Sequence, residues 1–356
     1  MFYITSIFQI VTDLNYIIFD RLKTFGIFKE ENDLLNNFKG KSLLSLNDFS
    51  KEEIAYLVDF SIQLKEEKKS NIQKDRLKNK SIALIFEKTS TRTRCAASVA
   101  CFDEGGHSEF LGKDDIQMGK KESIRDTARV LGGMFSAILF RGFEQETVDL
   151  LAKYSGIPVI NGLTDREHPT QILADFMTIK EVFGRLEKLK ITYLGDGRNN
   201  VANTLLLACA KMGIDIAISC PKSLFPENKL IEDAKILAKQ NNSSIIITED
   251  PFLAVRDADV IYTDVWVSMG EEDKPEIQER IKSLMPYSVT KKIMDSTGKP
   301  DTIFLHCLPA THKDEVHYME VTEEVFESKQ SYVFLQAENR LHTIKSVLIS
   351  LIGGVK

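Results

Sequence analysis

The feature that most constrains this chain is an alternation of short apolar runs with amphipathic stretches, which starts once and then starts again. A short apolar run bounded by turn residues suits a strand covered on both faces, and the amphipathic stretch after it suits a crossover helix. Strand-like runs lie at 81–89, 135–141, 190–195, 215–220, 244–248, 259–265 and 302–307. Helices are expected over 92–104, 121–133, 145–155, 169–184, 200–212, 228–240 and 275–285, with a last one over about 337–351. Pro169 stands at the first position of one helix, where its missing N–H costs nothing. The alternation restarts after Arg185. The expected fold class is therefore α/β: two α/β domains, each with a mainly parallel sheet flanked by helices, joined by interdomain helices around 170–185.

A length of 356 residues accommodates two such domains and a core that needs no staples. Hydrophobic residues make up 43% and charged residues 28%, which excludes disordered and collagen-like classes. Lys plus Arg number 46 against 52 for Asp plus Glu, a formal charge of −6. That balance argues against a chain that grips nucleic acid or an anionic membrane with its whole surface, while leaving room for a small basic pocket. Five scattered cysteines without C-x-x-C spacing point to a reducing compartment. The apolar start, Phe2 to Val11, has no positive region before it and is too short to span a bilayer. The chain reads as cytoplasmic, with residues 1–35 as an extension outside either unit.

The segment richest in chemistry is Glu87-Lys88-Thr89-Ser90-Thr91-Arg92-Thr93-Arg94, where a strand ends and a helix begins. Free N–H groups and the positive end of a helix dipole meet there, which suits a phosphate. Ser90, Thr91 and Thr93 add hydroxyls, and Arg92 adds a fork that matches two phosphate oxygens. An ordinary N-cap with solvated charges uses the same residue types. No Gly-x-x-x-x-Gly-Lys pattern is present, so this is not a nucleotide P-loop.

Other candidates stand at the ends of strand-like runs, where ligands of open α/β sheets bind. Arg141 and Asp264 each close one run; the plain alternatives are an ion-paired surface Arg and a turn-forming Asp. Cys307 closes another within His306-Cys307-Leu308-Pro309, as a thiol near a reaction centre or as a small buried apolar residue. His168 precedes the helix opened by Pro169, where the dipole favours a neutral ring able to donate to a carbonyl. It also suits a cap or loop position. There is no H-E-x-x-H or other regular His/Cys spacing, so no metal is expected. Gly195-Asp196-Gly197-Arg198-Asn199-Asn200 partly matches a dinucleotide fingerprint. Asn200 replaces its third glycine, and Cys220-Pro221 occupies the region of its acidic residue.

Taken in order, these segments resemble the transcarbamylase family, in particular its ornithine-specific branch. The matching residues are Ser90-Thr91-Arg92-Thr93-Arg94, Gln117, Arg141, His168-Pro169-x-Gln171, Asn199-Asn200, Asp264-x-x-x-Ser268-Met269-Gly270, His306-Cys307-Leu308-Pro309 and Ala337-Glu338-Asn339-Arg340. They span roughly residues 38–354. The resemblance implies transfer of a carbamoyl group between carbamoyl phosphate and L-ornithine, giving L-citrulline and phosphate, in a reversible step of arginine metabolism that needs no cofactor. It further implies a carbamoyl-phosphate-binding domain over 36–175 plus 337–356 and an ornithine-binding domain over 176–336.

By the same resemblance, carbamoyl phosphate would be held by Ser90, Thr91, Arg92, Thr93, Arg141, His168, Gln171, Cys307, Leu308 and Arg340. Gln117 would be lent by a neighbouring subunit of a homotrimer or a multiple of trimers. Ornithine would be held by Asn200, Asp264, Ser268 and Met269, and the catalytic set would be Arg141, His168, Asp264 and Cys307. The nearest rival is a putrescine-specific or other transcarbamylase. From a different class, an NAD-dependent dehydrogenase would draw on the Gly195–Asn200 segment.

Overall fold

The computed structural model describes residues 37–267, 275–312 and 319–353. The 1–35 extension, Ser268 and Met269 lie outside the described residues.

After a short 3₁₀ turn at Leu46–Asp48, the first half continues with helix α1 (Lys51–Lys69), started by a capping box in which the Ser50 hydroxyl accepts from the Glu53 N–H and the Glu53 carboxylate accepts from the Ser50 N–H. There follow β1 (Ser81–Phe86), α2 (Arg92–Asp103), β2 (His107–Gly112), α3 (Ile124–Met134), β3 (Ala137–Arg141), α4 (Gln145–Ser155) and β4 (Val159–Leu163). These four strands form one parallel sheet in the order β2-β1-β3-β4. Along β1 the pleat divides the core. Ile82, Leu84 and Phe86 face the large core shared with the rest of the molecule, while Ala83 and Ile85 face a smaller core under α3 and α4.

Helix α5 (Pro169–Phe183) leads into the second half: β5 (Lys190–Leu194), α6 (Asn200–Met212), β6 (Asp215–Ser219), α7 (Asn228–Asn241), β7 (Ile245–Thr248), α8 (Pro251–Val255), β8 (Val260–Thr263), α9 (Ile277–Leu284), α10 (Lys291–Asp295), β9 (Ile303–His306), α11 (Glu323–Phe326) and α12 (Val333–Ile352). Its five strands are also all parallel, in the order β7-β6-β5-β8-β9. The two expected α/β units are present, each built on one parallel sheet.

Besides the short helices α8, α10 and α11, three longer features go beyond the sequence expectation, each for a physical reason. Strand β2 is a partly exposed edge and needs no apolar run. Strand β4 contains Asn161 and Gly162, residues that weaken a strand pattern; the buried Asn161 donates its amide N–H to the Leu44 carbonyl at 3.0 Å. Helix α1 is amphipathic but rich in charge, and its apolar face is covered by α5 and α12.

Helices α5 and α12 are buried along most of their length and pack on each other, so the two halves share one apolar core. A buried polar cluster crosses the same helices. Lys65 of α1 donates to Glu181 of α5 at 2.9 Å and to Asn339 of α12 at 2.7 Å. Each sheet reverses its winding once, between β1 and β3 in the first and between β5 and β8 in the second. Ligands of such sheets bind outside the strand ends at these reversal points.

Candidate active site

A cleft of about 1220 Å³ lies at the carboxyl ends of the strands and takes its walls from both halves. The first wall is the turn from β1 into α2. Ser90, Thr91, Arg92 and Thr93 all line the cleft. Thr91 occupies the N-cap but makes no side-chain cap bond, so its hydroxyl is not spent on ending the helix. The Ser90 hydroxyl does accept the Thr93 N–H, at 3.3 Å. The two arginines of the motif divide. Arg92 reaches across the cleft and donates to the Leu308 carbonyl, whereas Arg94 turns away and stacks its guanidinium 3.6 Å from the Phe110 ring centroid.

Two further guanidiniums join Arg92. Arg141 comes from the end of β3 and Arg340 from the middle of α12, and both are buried. Arg340 donates to Gln171 Oε1 at 2.6 Å, to Thr93 Oγ1 at 2.9 Å and to Thr170 Oγ1 at 3.1 Å. Burial, and then the charges of Arg141 and Arg92, pull Arg340 down to about 9; burial and Arg92 pull Arg141 down to about 10. Both still carry full charge near neutrality. Such a cluster is unfavourable until an anion enters it. The Nε atoms of Arg141 and Arg340 are buried with no hydrogen-bond partner among the described residues, so this wall has donors to spare.

His168 is the N-cap of α5 and is 4% exposed. Burial, followed by the three arginine charges, holds its ring far below the usual histidine range. The imidazole is therefore neutral, as the helix-start position suggests. Its backbone N–H donates to Thr204 Oγ1 at 2.9 Å, which ties α5 to α6.

The opposite wall comes from β5, β8 and β9. Asp264, one residue beyond β8, is 5% exposed. Its Oδ1 accepts from the Cys307 thiol at 2.9 Å and from the Val265 N–H at 2.8 Å, and its Oδ2 accepts from Asn199 Nδ2 at 3.0 Å. Burial and the Asp264 charge push the Cys307 thiol far above its ordinary range. Cys307 is thus a protonated donor that steadies the carboxylate. Asn199 also caps α6 by accepting the Val201 N–H at 2.7 Å, while Asn200 lines the cleft and donates to the Thr164 carbonyl at 2.7 Å.

Gly197 is required by packing. A Cβ there would lie 2.7 Å from the Leu224 carbonyl oxygen and 2.8 Å from the Cys220 sulfur. The partial dinucleotide motif thus owes this glycine to the 220–226 loop rather than to a pyrophosphate.

Asp264, His306 and Cys307 bring potential metal ligands within 4.8 Å of one another. The chemistry of the set does not favour an ion. His306 Nδ1 accepts the Leu308 N–H at 2.9 Å, which leaves Nε2 to donate to Glu320 at 3.1 Å, so neither ring nitrogen offers a lone pair.

Of the expected residues, Ser90, Thr91, Arg92, Thr93, Arg141, His168, Asn200, Asp264, Cys307, Leu308 and Arg340 share this cleft. Gln171 does not line it. Its carboxamide is buried behind Arg340 and donates to Asp175 at 2.9 Å. Gln117 is exposed in the connection between β2 and α3, away from this chain's own cleft. Sequence reasoning misses Asp196 and Arg280, joined at 3.4 Å along the second wall, because Arg280 sits on an amphipathic helix with no motif of its own.

Residues 41–181 match the family described as aspartate/ornithine carbamoyltransferase, carbamoyl-P binding domain, and residues 187–351 match its Asp/Orn binding domain. The chain is 55% identical over 331 residues to a catabolic ornithine carbamoyltransferase of Bacillus licheniformis, covering 90% of this chain and 98% of that one. It is 57% identical over 314 residues to an ornithine carbamoyltransferase of Caldanaerobacter subterraneus, covering 88% and 98%. The solved ornithine carbamoyltransferase of Pyrococcus furiosus superimposes with a TM-score of 0.84 at 43% identity, covering 90% of this chain and 99% of that one. With both halves matched and the relatives covered nearly end to end, the chain belongs to the aspartate/ornithine carbamoyltransferase family.

Proposed function

We propose that this cleft transfers a carbamoyl group between carbamoyl phosphate and L-ornithine, with L-citrulline and phosphate on the other side of the reaction. The observation that carries this reading is the pairing of two unlike walls. Three guanidiniums and a run of hydroxyls face a buried carboxylate steadied by a thiol and an amide. One wall suits a phosphate with its acyl oxygen; the other suits an ammonium.

Ser90, Thr91, Arg92 and Thr93 hold the phosphate, and Arg141 and Arg340 extend that grip to the carbamoyl oxygen. Neutral His168 donates to the same oxygen without adding charge. Asp264, with Asn199, Asn200 and Cys307 around it, receives the amine end of ornithine, and Ser268 and Met269 are assigned to its α-substituents. An alkylammonium with a pKa near ~10 attacks nothing until it loses a proton, and a pocket rich in guanidinium charge favours that loss. The neutral amine nitrogen then bonds to the carbamoyl carbon. The oxyanion that forms is met by Arg141 and His168, and the C–O bond to phosphate breaks. The second proton of the attacking nitrogen leaves with the phosphate, so the products are a neutral ureido group and hydrogen phosphate.

The domains divide as the sheets do: 36–175 with 337–356 for carbamoyl phosphate, 176–336 for ornithine. The chain works as a homo-oligomer built on trimers. Among the described residues strand β2 leaves one sheet edge unpaired, and beside it α2 exposes Val99 and Phe102, the latter 79% accessible. A second copy on this face would cover both and bring Gln117 toward a neighbour's cleft. Five free cysteines fit a cytoplasmic enzyme, and no described helix is long and apolar enough to cross a membrane.

The test is a ureido-product assay with carbamoyl phosphate and, in parallel, ornithine, putrescine, aspartate and N-acetylornithine. Turnover dominated by ornithine is the expected result. Preference for putrescine would discard the amino-acid clamp, and no turnover with any acceptor would overturn the reading.

A further inference from the structure

Beneath the arginine wall lies a carboxyl that touches neither the cleft nor the solvent. Asp175, in the second turn of α5, is fully buried. Its Oδ1 accepts two amide N–H groups, from Gln171 Nε2 at 2.9 Å and from Gln336 Nε2 at 2.6 Å. Both amides are committed at their other ends. Gln171 Oε1 accepts from Arg340 at 2.6 Å. Gln336 Oε1 accepts the backbone N–H of His306 at 3.0 Å, one residue before Cys307. Gln336 Nε2 also lies 3.0 Å from the Tyr262 hydroxyl, two residues before Asp264.

One carboxylate oxygen therefore stands where two arms meet. The first arm ends on a guanidinium of the phosphate wall. The second ends on β8 and β9, the strands that deliver Asp264 and Cys307. A carboxamide has one donor end and one acceptor end, so whatever accepts its N–H also decides where its C=O points. Burial pushes the Asp175 carboxyl up to about 7, and hydrogen bonds from Gln171, Gln336 and the Tyr262 hydroxyl oppose that rise. A group held at such a cost in a fully buried place needs a use.

We infer that Asp175 is a positioning residue for carbamoyl transfer: through Gln171 and Gln336 it sets Arg340 in register with the Asp264–Cys307 pair. The inference rests on the ornithine carbamoyl-transfer reading above. Asp175 contacts no substrate; it acts through the two amides, with the Tyr262 hydroxyl of β8 hydrogen-bonded to the same carboxylate.

The test compares Asp175→Ala, Asp175→Asn and Gln336→Met in the full-length chain, with kcat, both KM values and the inhibition constant of inorganic phosphate measured for each. Asp175→Ala leaves both amides free to turn. It should lower kcat at least tenfold and weaken both ornithine and phosphate. Asp175→Asn keeps an accepting oxygen and should return kcat to within about threefold of the parent. Gln336→Met cuts the second arm alone, so it should raise the ornithine KM at least fivefold and leave phosphate inhibition unchanged. A folded Asp175→Ala with all constants within twofold of the parent overturns the inference. Should Asp175→Ala not fold, Gln336→Met decides: an unchanged ornithine KM overturns the proposal, and a selective rise supports it. A parent enzyme inert toward ornithine is a different failure, because it removes the reaction on which the proposal rests.

Discussion

The Cys307 thiol donates a 2.9 Å hydrogen bond to Asp264 Oδ1, and that contact links the two residues that follow the last paired positions of β8 and β9, Thr263 and His306, at the floor of the second wall. Because burial and the Asp264 charge keep the thiol protonated, the bond has a fixed direction. The carboxylate lines the cleft.

Removing that donor should weaken the amine half of the reaction. A hydrogen bond to a charged group contributes roughly 1.5–3 kcal/mol, so Cys307→Ala should raise the ornithine KM by about ten- to a hundredfold. Cys307→Ser keeps a donor and should lose much less. Steady-state kinetics at saturating carbamoyl phosphate distinguish the two, and equal KM values for Ala and Ser would place the thiol outside the recognition of the amine.

The two walls should separate in kinetics. Loss of an oxyanion donor typically costs ~10²–10³ in rate, so Arg141→Ala should fall mainly in kcat. Asn199→Ala should act mainly on the ornithine KM, and it should also lose a helix cap, about 1 kcal/mol of stability. Initial-rate measurements varying each substrate check this division. A kcat for Arg141→Ala near that of the parent would remove Arg141 from the transition state.

Buried histidines predict the acid limb of stability. Burial, with Lys345 and Lys65 nearby, lowers His342 to about 3, whereas an unfolded histidine titrates near ~6.5. Between those values the unfolded chain binds a proton that the folded chain refuses, so stability falls as pH drops from about 6.5 toward 3. One such group contributes a slope of about 1.4 kcal/mol per pH unit. Urea unfolding of His342→Gln between pH 7 and pH 5 should be shallower by close to that slope. A slope equal to the parent's would mean that His342 already takes up its proton in the folded state.

Packing between α3 and α4 offers a test away from the cleft. A Cβ at Gly132 would sit 1.8 Å from the Ser155 carbonyl oxygen, inside any real contact. The two helices must separate to admit it, so Gly132→Ala should cost about 3 kcal/mol or more. Gly133→Ala, one residue further along the same helix with nothing within 4 Å of its Cβ position, serves as the control. Thermal unfolding in which the two variants melt together would contradict the close approach.

Much of this molecule is legible in the sequence, and the places where legibility ends share a cause. The strand ends announce themselves because a run such as Ala137 to Phe140 must be buried, and the residue after it must then emerge at the sheet's edge. That logic finds Arg141, Asp264 and Cys307. It cannot find Arg280, which reaches the cleft from the side of a helix, nor can it assign Arg92 and Arg94 to different tasks. The preference of Gln171 for Arg340 and Asp175 over the cleft is equally invisible, because both partners lie behind the pocket wall.

By itself, then, the sequence determined the alternation of strand and helix, the doubling of that pattern and the residue types at each strand end. These follow from local propensity and from the need to bury apolar runs, which act within a dozen residues. Only the tertiary structure decided which strand ends face each other, that Arg340 from the last helix completes a wall begun at Arg92, and that Asp264 and Cys307 hold one another. Those relations join residues up to 248 positions apart, the separation of Arg340 from Arg92. They exist only because α5 and α12 pack both sheets on one core, so that two reversal points open onto the same cleft.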